Sequence, residues 1–274
     1  KDQLPSVGPG NILRDIINSN YFNTIYLNRN YRQTENSLII ENAYRINNGE
    51  SLLFKPYSDS LDFVFINVKN EQQARQKVIR IIDFHKNQYQ ANSNELQVLV
   101  PMYRGDAGID NLNKKIQDQF NPGPHPFHRE KPAFKKLDKV MQLKNNYEKE
   151  IFNGEMGIIA DINKENQKIV VDYDGYLVEY EKDEMDELSM AYAISIHKSQ
   201  GSEYDIVILV LLPSHTIMLN REIFYTSVTR AKKKIFLLSD ENTIHRTLMN
   251  SSPRQRKTLL PIRLKSIFES TKPD

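Results

Sequence analysis

The sequence predicts an α/β fold built on a parallel, doubly wound sheet. Four nearly continuous apolar runs are rich in leucine and β-branched residues, as in strands covered on both faces. They occupy residues 63–68, 96–100, 206–212 and 235–238. Apolar residues at helical spacing predict helices over 35–47, 71–86 and 110–120. Gly49 stands where the first of these helices should stop. Strands that alternate with helices predict a parallel sheet.

A different pattern interrupts this alternation between residues 134 and 188. Short apolar runs are separated there by turn signals, of which Asn153-Gly154 and Asp174-Gly175 are typical of hairpins. The pattern predicts a small antiparallel β-barrel inserted into the α/β domain. Its strands should cover 139–143, 157–162, 168–173 and 176–180. Prolines at positions 122, 124, 126 and 132 predict a stiff linker before it.

Composition restricts the class of protein. The 274 residues are 39% hydrophobic and 26% charged, as in a soluble globular chain, and no apolar run is long enough to span a bilayer. Cysteine is absent, which excludes disulfides, thiolate metal sites and cysteine nucleophiles and fits a reducing compartment such as the cytoplasm. The net charge of +2 demands no polyanionic partner. The chain opens on lysine, so we expect a piece of a longer protein.

Residues 195–205 are the most informative about chemistry. They place histidine, lysine, serine, glutamine and glycine directly before an apolar run. Short polar side chains and exposed backbone suit contacts to phosphates and sugars, and Gly201 would permit close approach of the backbone. The structural alternative is a polar turn that caps a strand. A catalytic role for His197 is not indicated, because neither a partnering acid nor a nucleophile elbow is present.

Three further segments carry signals that are weaker alone. In 222–231, Arg230 either complements the negative end of a helix or directs its guanidinium at a transferring phosphoryl group. In 27–33, Arg32 lies beside an aromatic residue ahead of a predicted helix. Residues 101–108 follow a predicted strand, where open α/β sheets bind ligands. Tyr103 could stack on a base there and Arg104 could hold a phosphate, or the segment is simply a tight glycine-containing turn.

Together and in order, these segments resemble the C-terminal motor half of superfamily-one helicases. The strongest likeness is to the RecD-like family, the α subunit of exodeoxyribonuclease five and its stand-alone relatives. The matching stretches are 1–10 (tail of motif three), 27–33 (motif four), 101–108 with 112–113 (a DNA-contacting segment), 195–205 (motif five) and 225–231 (motif six). The inserted barrel resembles the SH3-like 2B module of these enzymes. That family usually has glycine before Asp138, where this sequence has Leu137.

The resemblance implies a RecA-like domain that completes an ATP site. Arg32 and Arg230 match its arginine fingers, and Gln3 matches the glutamine that senses the γ-phosphate. Glu203 matches the motif-five acid near the nucleotide ribose, beside Gly201. The sequence holds no Gly-x-x-x-x-Gly-Lys-[Ser/Thr] motif. The resemblance therefore places the phosphate loop and the Mg²⁺ ligands in a first motor domain, and predicts that this chain alone does not hydrolyse ATP. No metal site is expected in the chain itself.

The same resemblance implies binding of single-stranded DNA and movement from 5′ to 3′. The implied contacts are Tyr103, Arg104, Asn113, Ser195, His197, Lys198 and Ser199. Because phosphate contacts read no sequence, binding should tolerate any sequence and weaken with salt.

The domain boundaries follow from the same resemblance. Residues 1–23 are a remnant of the first motor domain, 24–133 and 189–274 form the second, and 134–188 form the barrel. Two other interpretations stay open: a non-catalytic module that binds DNA or a protein, and an RNA helicase of the same superfamily. Ten acidic residues against three lysines in 161–187 favour a protein or intramolecular partner for the barrel. No membrane contact is expected.

Overall fold

A five-stranded parallel sheet organises the larger part of the chain. The computed structural model describes residues 3–5, 10–26, 37–86, 95–123, 134–250 and 258–270. The strands of this sheet, numbered along the whole chain, are β1 (Phe63–Asn67), β2 (Leu96–Val100), β8 (Ala193–Ser195), β9 (Tyr204–Val210) and β10 (Ala231–Ser239). Their order is β1-β10-β9-β2-β8, with every pair parallel, which confirms the predicted fold class.

Helices cover both faces of this sheet. The α-helices of the described residues are α1 (Ile12–Ser19), α2 (Leu38–Asn48), α3 (Glu71–Phe84), α4 (Ile109–Phe120), α5 (Arg221–Val228), α6 (Glu241–Met249) and α7 (Leu260–Ser270). Val98 packs with the apolar residues of α3 and α4, whereas its neighbour Leu99 packs with those of α2, α5 and α6. Successive strand residues therefore feed two separate cores, which explains the continuous apolar runs. Gly49 ends α2 with a φ of 74°.

The inserted domain, residues 134–190, is built on a separate antiparallel sheet. Its strands are β3 (Lys139–Gln142), β4 (Met156–Asn163), β5 (Lys168–Tyr173), β6 (Tyr176–Tyr180) and β7 (Leu188–Met190). Their order is β6-β5-β4-β3-β7. The domain has its own apolar core, which includes Phe134, Ile159 and Val171. The four predicted strands are present, and β7 adds a fifth beside β3.

The two predicted hairpin turns differ in form. Asp174 and Gly175 join β5 to β6 directly, and both have positive φ, 51° and 95°, as a tight two-residue turn requires. Asn153-Gly154 instead closes a longer connection between β3 and β4, where the Gly154 N–H donates to the Gln142 carbonyl at 2.9 Å. In the predicted linker, Pro122 is described, and Pro124, Pro126 and Pro132 lie outside the described residues.

Asp138 fixes the chain where it enters the inserted domain. The side chain is fully buried and accepts four hydrogen bonds. The donors are Gln117 Nε2 at 2.5 Å, Asn121 Nδ2 at 2.8 Å, the Lys135 N–H at 2.7 Å and Tyr192 Oη at 2.8 Å. Burial raises the pKa of Asp138, and these hydrogen bonds oppose that rise. Its carboxylate therefore joins α4, the entering chain and the chain that leaves toward β8.

Lys139 makes the second junction between the inserted domain and the parallel sheet. Its ammonium group, on a side chain only 2% exposed, donates to the Leu96 carbonyl at 3.1 Å and to Gln97 Oε1 at 2.8 Å. Gln97 in turn donates to the carbonyls of Ala191 and Tyr192, both at 3.0 Å. Burial lowers the pKa of Lys139 to about 7. Buried polar groups thus hold the two chain crossings together.

Leu137 occupies the position where the RecD-like pattern has glycine. Its φ is 71°, in the left-handed region, and its side chain is 67% exposed. The turn keeps its hydrogen bonds, because the Leu137 N–H donates to the Ile159 carbonyl at 2.8 Å and the Asp138 N–H to the Lys135 carbonyl at 3.1 Å. The backbone therefore has the conformation that glycine adopts without steric cost, and leucine bears the strain.

Replacing Leu137 with glycine should stabilise the protein. A left-handed conformation costs an L-residue roughly 1–2 kcal/mol, and the extra freedom of glycine in the unfolded chain offsets about half of that gain. We expect the free energy of unfolding to rise by about 0.5–1 kcal/mol in urea titrations. Leu177 is a matched control, because it is similarly exposed but lies in β6. Leu177→Gly should destabilise, and a loss of stability in Leu137→Gly would contradict the strain argument.

The first and last described helices pack together. Tyr21, just after α1, stacks on Phe268 of α7 with ring centroids 4.7 Å apart. Arg14 of α1 forms an ion pair with Glu222 of α5 at 2.9 Å. These contacts tie residues 10–26 to the parallel-sheet domain. None of the described helices is both long and apolar enough to cross a bilayer.

Candidate nucleotide and nucleic-acid site

Two predicted binding segments leave the parallel sheet side by side. Val100, the last residue of β2, pairs with Ser195, the last residue of β8. The β2 loop (residues 101–108) and the motif-five segment (residues 195–205) therefore start at the same carboxyl edge. This is the edge at which open parallel sheets bind ligands. The juxtaposition brings together residues that lie more than ninety positions apart in the sequence.

The β2 loop presents its two predicted contact residues to solvent. Tyr103 is 48% exposed, and Arg104 is exposed beside it. Gly105 has a φ of 104°, which an L-residue rarely adopts. The loop ends at Gly108, the N-cap of α4. An aromatic ring and a guanidinium on a short, shaped loop can stack on a base and hold a phosphate.

The motif-five segment exposes some of its predicted contacts and buries others. His197 and Lys198 lie on a single 3₁₀ turn and reach the surface, and partial burial lowers the pKa of each. Ser195 is buried, and its hydroxyl accepts from the Lys198 N–H at 3.3 Å. Ser199 is also buried and donates to the Ile196 carbonyl at 2.7 Å. The two serines therefore shape the turn, and His197 and Lys198 present their side chains.

Asn113 has a structural environment. It is 4% exposed, its Nδ2 donates to the Ala193 carbonyl at 3.0 Å, and its Oδ1 accepts from the Ala193 N–H at 2.8 Å. The amide thus pairs α4 with edge strand β8, much as a neighbouring strand would. The polar groups of Asn113, Ser195 and Ser199 thus serve the local structure, and we expect none of the three to contact a nucleic-acid strand directly.

A cleft separates the motif-five segment from the inserted domain. Its volume is about 760 Å³. The inserted domain contributes residues 152–156 and 173–174, and the motif-five segment contributes His197, Lys198, Gln200 and Ser202. The walls carry both signs of charge, from Lys198 on one side and from Glu155 and Asp174 on the other. The sequence did not reveal that the Asn153-Gly154 turn faces the motif-five segment, because this contact depends on how the inserted domain docks.

Arg230 lies at the opposite end of the motif-five segment. It is 4% exposed and follows the last turn of α5. Its Nε donates to the Thr226 carbonyl at 3.1 Å, and its Nη1 donates to the Ser202 carbonyl at 2.9 Å. The Arg230 carbonyl accepts from the N–H of Tyr204, which opens β9, at 2.8 Å. The guanidinium therefore caps α5, as one alternative predicted, and also grips the motif-five segment.

The other predicted nucleotide residues gather around the same place. Gln3 is exposed, and its neighbour Leu4 is held from both sides. The Leu4 N–H donates to Thr226 Oγ1 at 2.9 Å, and Gln200 Nε2 donates to the Leu4 carbonyl at 2.9 Å. Thr226 and Gln200 are thus anchors that the sequence had not singled out. Thr226 lies within motif six and Gln200 within motif five, which was the available signal.

Gly201 and Glu203 complete this group. Gly201 has a φ of 87°, and the space where a Cβ would stand is open. Its backbone is therefore accessible to a ligand. Glu203 is partly buried just before β9. Arg32 and the rest of 27–33 lie outside the described residues, so the pairing of Arg32 with Arg230 stays a prediction. Among the described residues, no His, Asp and Glu side chains group in the way that a metal ion requires.

Comparison with known families identifies two parts of the chain. Residues 112–173 match the SH3 domain of ATP-dependent RecD-like DNA helicases, and residues 190–238 match the UvrD-like helicase C-terminal domain. The first match covers most of α4 and most of the inserted domain. The second covers β8, the motif-five segment, α5 and most of β10.

Similar proteins come from several bacteria. The ATP-dependent RecD2 DNA helicase of Deinococcus radiodurans is 33% identical over 86% of this chain and 31% of its own length. The RecBCD enzyme subunit RecD of Mycolicibacterium smegmatis is 24% identical over 95% of this chain and 48% of its own length. The chain thus spans less than half of either relative. A solved structure of Bacteroides Pif1 helicase with ADP-AlF₃ and single-stranded DNA matches with 19% identity and a TM-score of 0.46, covering 98% of this chain and 66% of that one.

The fold, the ordered motifs and the two domain matches define a superfamily-one helicase motor domain that carries an SH3-like insertion. Within that class, the chain is similar to the RecD-like helicases, whose SH3 domain it matches at residues 112–173.

Proposed function

We propose that this chain is the second motor domain of an ATP-dependent DNA helicase that moves 5′ to 3′ on single-stranded DNA. Its partner would be a first motor domain that supplies the phosphate loop and the Mg²⁺ ligands. The chain by itself is then expected to hydrolyse no ATP. The family match and the absence of a Walker A motif from the sequence support this division of labour.

One observation carries the proposal: the motif-five segment connects both halves of the site. Its first residue, Ser195, pairs with Val100 beside the exposed Tyr103 and Arg104. Near its other end, the Ser202 carbonyl accepts from Arg230. A displacement of this segment must therefore alter both the nucleic-acid surface and the arginine. We propose that this contiguous element couples ATP hydrolysis to movement along a strand.

On the nucleic-acid side, four side chains form the proposed contact set: Tyr103, Arg104, His197 and Lys198. They combine one aromatic ring with hydrogen-bond donors and positive charge, which suits a strand whose bases are free to stack. Ser195 shapes the turn beneath them. Glu155 and Asp174 on the far wall of the cleft would repel phosphates, so the backbone of the strand should lie nearer Lys198 and Arg104.

On the nucleotide side, the proposed set is Arg230, Gln3, Glu203, Gly201 and Arg32. Arg230 would stabilise charge that develops on the transferring phosphoryl group, and Gln3 would sense the γ-phosphate. The contacts of Leu4 with Thr226 and Gln200 support this grouping, because they hold the chain after Gln3 against both motifs.

Binding of single-stranded DNA by this chain tests the proposal. We expect a fluorescein-labelled oligothymidine to bind, with affinity falling about sevenfold to twentyfold between 50 and 200 mM salt if two or three phosphates are contacted. Arg104→Ala and Lys198→Ala should each weaken binding about threefold to tenfold in a fluorescence-anisotropy titration and flatten its salt dependence. Lys164→Ala is the control, because Lys164 is exposed in the turn between β4 and β5.

A protein-binding module and an RNA helicase each predict a different outcome in the same titration. A module that only binds a protein would leave the oligothymidine unbound. An RNA helicase would bind oligouridine more tightly than oligothymidine, because a 2′-hydroxyl is recognised only by a site built for it. Equal affinities of Lys198→Ala and unsubstituted protein would contradict the proposed site.

A further inference from the structure

Glu71 lies beneath the β2 loop, outside every motif named above. It is the first residue of α3, whose N-cap is Asn70. Its Oε2 accepts hydrogen bonds from two backbone N–H groups of the loop, those of Asp106 and Ala107, the second at 3.3 Å. A carboxylate that accepts from two successive amides fixes the direction of the backbone that carries them. These amides follow Tyr103 and Arg104 by two to four positions.

The backbone of the β2 loop packs closely against the Glu71 carboxylate. At Gly105, a Cβ would stand 2.7 Å from Glu71 Oε2, closer than real Cβ contacts allow. Arg75, one turn further along α3, forms an ion pair with Asp106 at 3.2 Å. Asn111 of α4 donates to the Asp106 carbonyl at 2.6 Å. The loop is therefore fastened at its base, and Tyr103 and Arg104 stand at its exposed part.

Glu71 also has a partner in the connection that follows β9. Burial alone would raise its pKa, but hydrogen bonds from the Ser214 hydroxyl and from the two loop amides outweigh burial and lower it. The carboxylate is therefore ionised at neutral pH, the form that accepts hydrogen bonds most strongly. The nearby His215 is buried, and burial lowers its pKa to about 4, so it is neutral there.

We propose that Glu71 is a positioning residue that holds Tyr103 and Arg104 in the conformation that binds nucleic acid. The inference rests on the proposed function. It follows from the two loop amides that share one carboxylate oxygen and from the close approach of that oxygen to Gly105, whose φ of 104° an L-residue rarely adopts. Glu71 does not touch the strand itself; it acts through the loop backbone.

The test uses the whole chain and the same oligothymidine titration. Glu71→Ala should weaken binding about fivefold to tenfold, and Glu71→Gln, which keeps an acceptor oxygen, should weaken it less. Glu241→Ala is the matched control. Like Glu71, Glu241 is the first residue of a helix whose N-cap side chain accepts a backbone hydrogen bond. It begins α6, however, and its side chain is exposed. The Glu241→Ala chain should bind the oligothymidine as tightly as the unsubstituted chain.

A positioning role predicts non-additive effects. In a chain that already carries Tyr103→Ala and Arg104→Ala, adding Glu71→Ala should change affinity by less than about twofold, because the groups it positions are gone. Hydrogen exchange at the amides of residues 106 and 107 should become faster in Glu71→Ala and stay unchanged in Glu241→Ala.

Two results would overturn this inference. The first is equal DNA affinity of Glu71→Ala and the unsubstituted chain. The second is the same fold loss with and without Tyr103 and Arg104, which would show that Glu71 acts elsewhere. If the unsubstituted chain bound no oligothymidine, the proposed function would fail and the DNA part of this inference with it. Hydrogen exchange would still decide whether Glu71 orders the loop.

Discussion

Replacing Arg230 with alanine in the full-length protein is expected to lower ATP turnover by about 10³–10⁵-fold, the usual effect of removing an arginine finger. ATP binding should survive, because under the proposed function the phosphate loop belongs to the other motor domain. The loss has a second source in this structure, since Arg230 Nη1 also holds the Ser202 carbonyl. Steady-state hydrolysis with single-stranded DNA measures the turnover, and equilibrium binding of a fluorescent ATP analogue measures ATP binding separately.

Arg221 provides the matched control for this experiment. It is the first residue of α5, the helix that precedes Arg230, and it donates through Nε and Nη2 to the Leu248 carbonyl, at 3.1 and 2.8 Å. Arg221→Ala removes an arginine that caps backbone without reaching the motif-five segment. It should lower stability while turnover per folded molecule stays near that of the unsubstituted protein. The 274-residue chain alone, which we expect to hydrolyse no ATP, serves as a further reference. Normal turnover in Arg230→Ala would exclude it as a finger.

Asp138→Ala should destabilise the protein by about 3–5 kcal/mol. The substitution leaves the buried donors of Gln117, Asn121, Lys135 and Tyr192 without their shared acceptor. Each buried donor that loses its partner costs roughly 1–3 kcal/mol, partly recovered by relaxation. We expect a fall in melting temperature of roughly 10 °C by circular dichroism or calorimetry.

An exposed aspartate in the same domain gives the comparison. Asp161 pairs with Lys136 at 3.1 Å on the surface, where both side chains are mostly exposed. Asp161→Ala should melt close to the unsubstituted protein, because solvent screens such pairs. If Asp138→Ala behaved like Asp161→Ala, the carboxylate would not be what joins the inserted domain to the sheet.

Most of the fold could be predicted from local patterns in the sequence. The runs at 96–100 and 206–212 are nearly continuous and apolar, and together with the predicted helices between the strands they indicate a covered parallel sheet. Strands β7 and β8 could not be predicted, because three residues carry no periodicity. The turn at Leu137 was flagged by a departure from the family pattern, and its positive φ gives that departure a physical meaning.

The candidate site could be predicted from the sequence only in part. The strand-end rule explains why 101–108 and 195–205 meet, but sequence gives no sign that Asn113 and Ser199 would use their polar atoms on nearby backbone. Glu71 gave no signal either, because its partners Asp106 and Ala107 lie 35 and 36 positions away. Which polar side chain is exposed and which is satisfied internally depends on packing between distant segments.

The shortness of the exit from the inserted domain has a mechanical consequence. Only Ala191 and Tyr192 separate β7 from β8, and the Ala191 N–H donates to the Lys139 carbonyl at 2.8 Å. The connection from the inserted domain back to the parallel sheet is therefore short and held by a hydrogen bond. A displacement of the inserted domain should therefore also displace Ser195, the first residue of the motif-five segment.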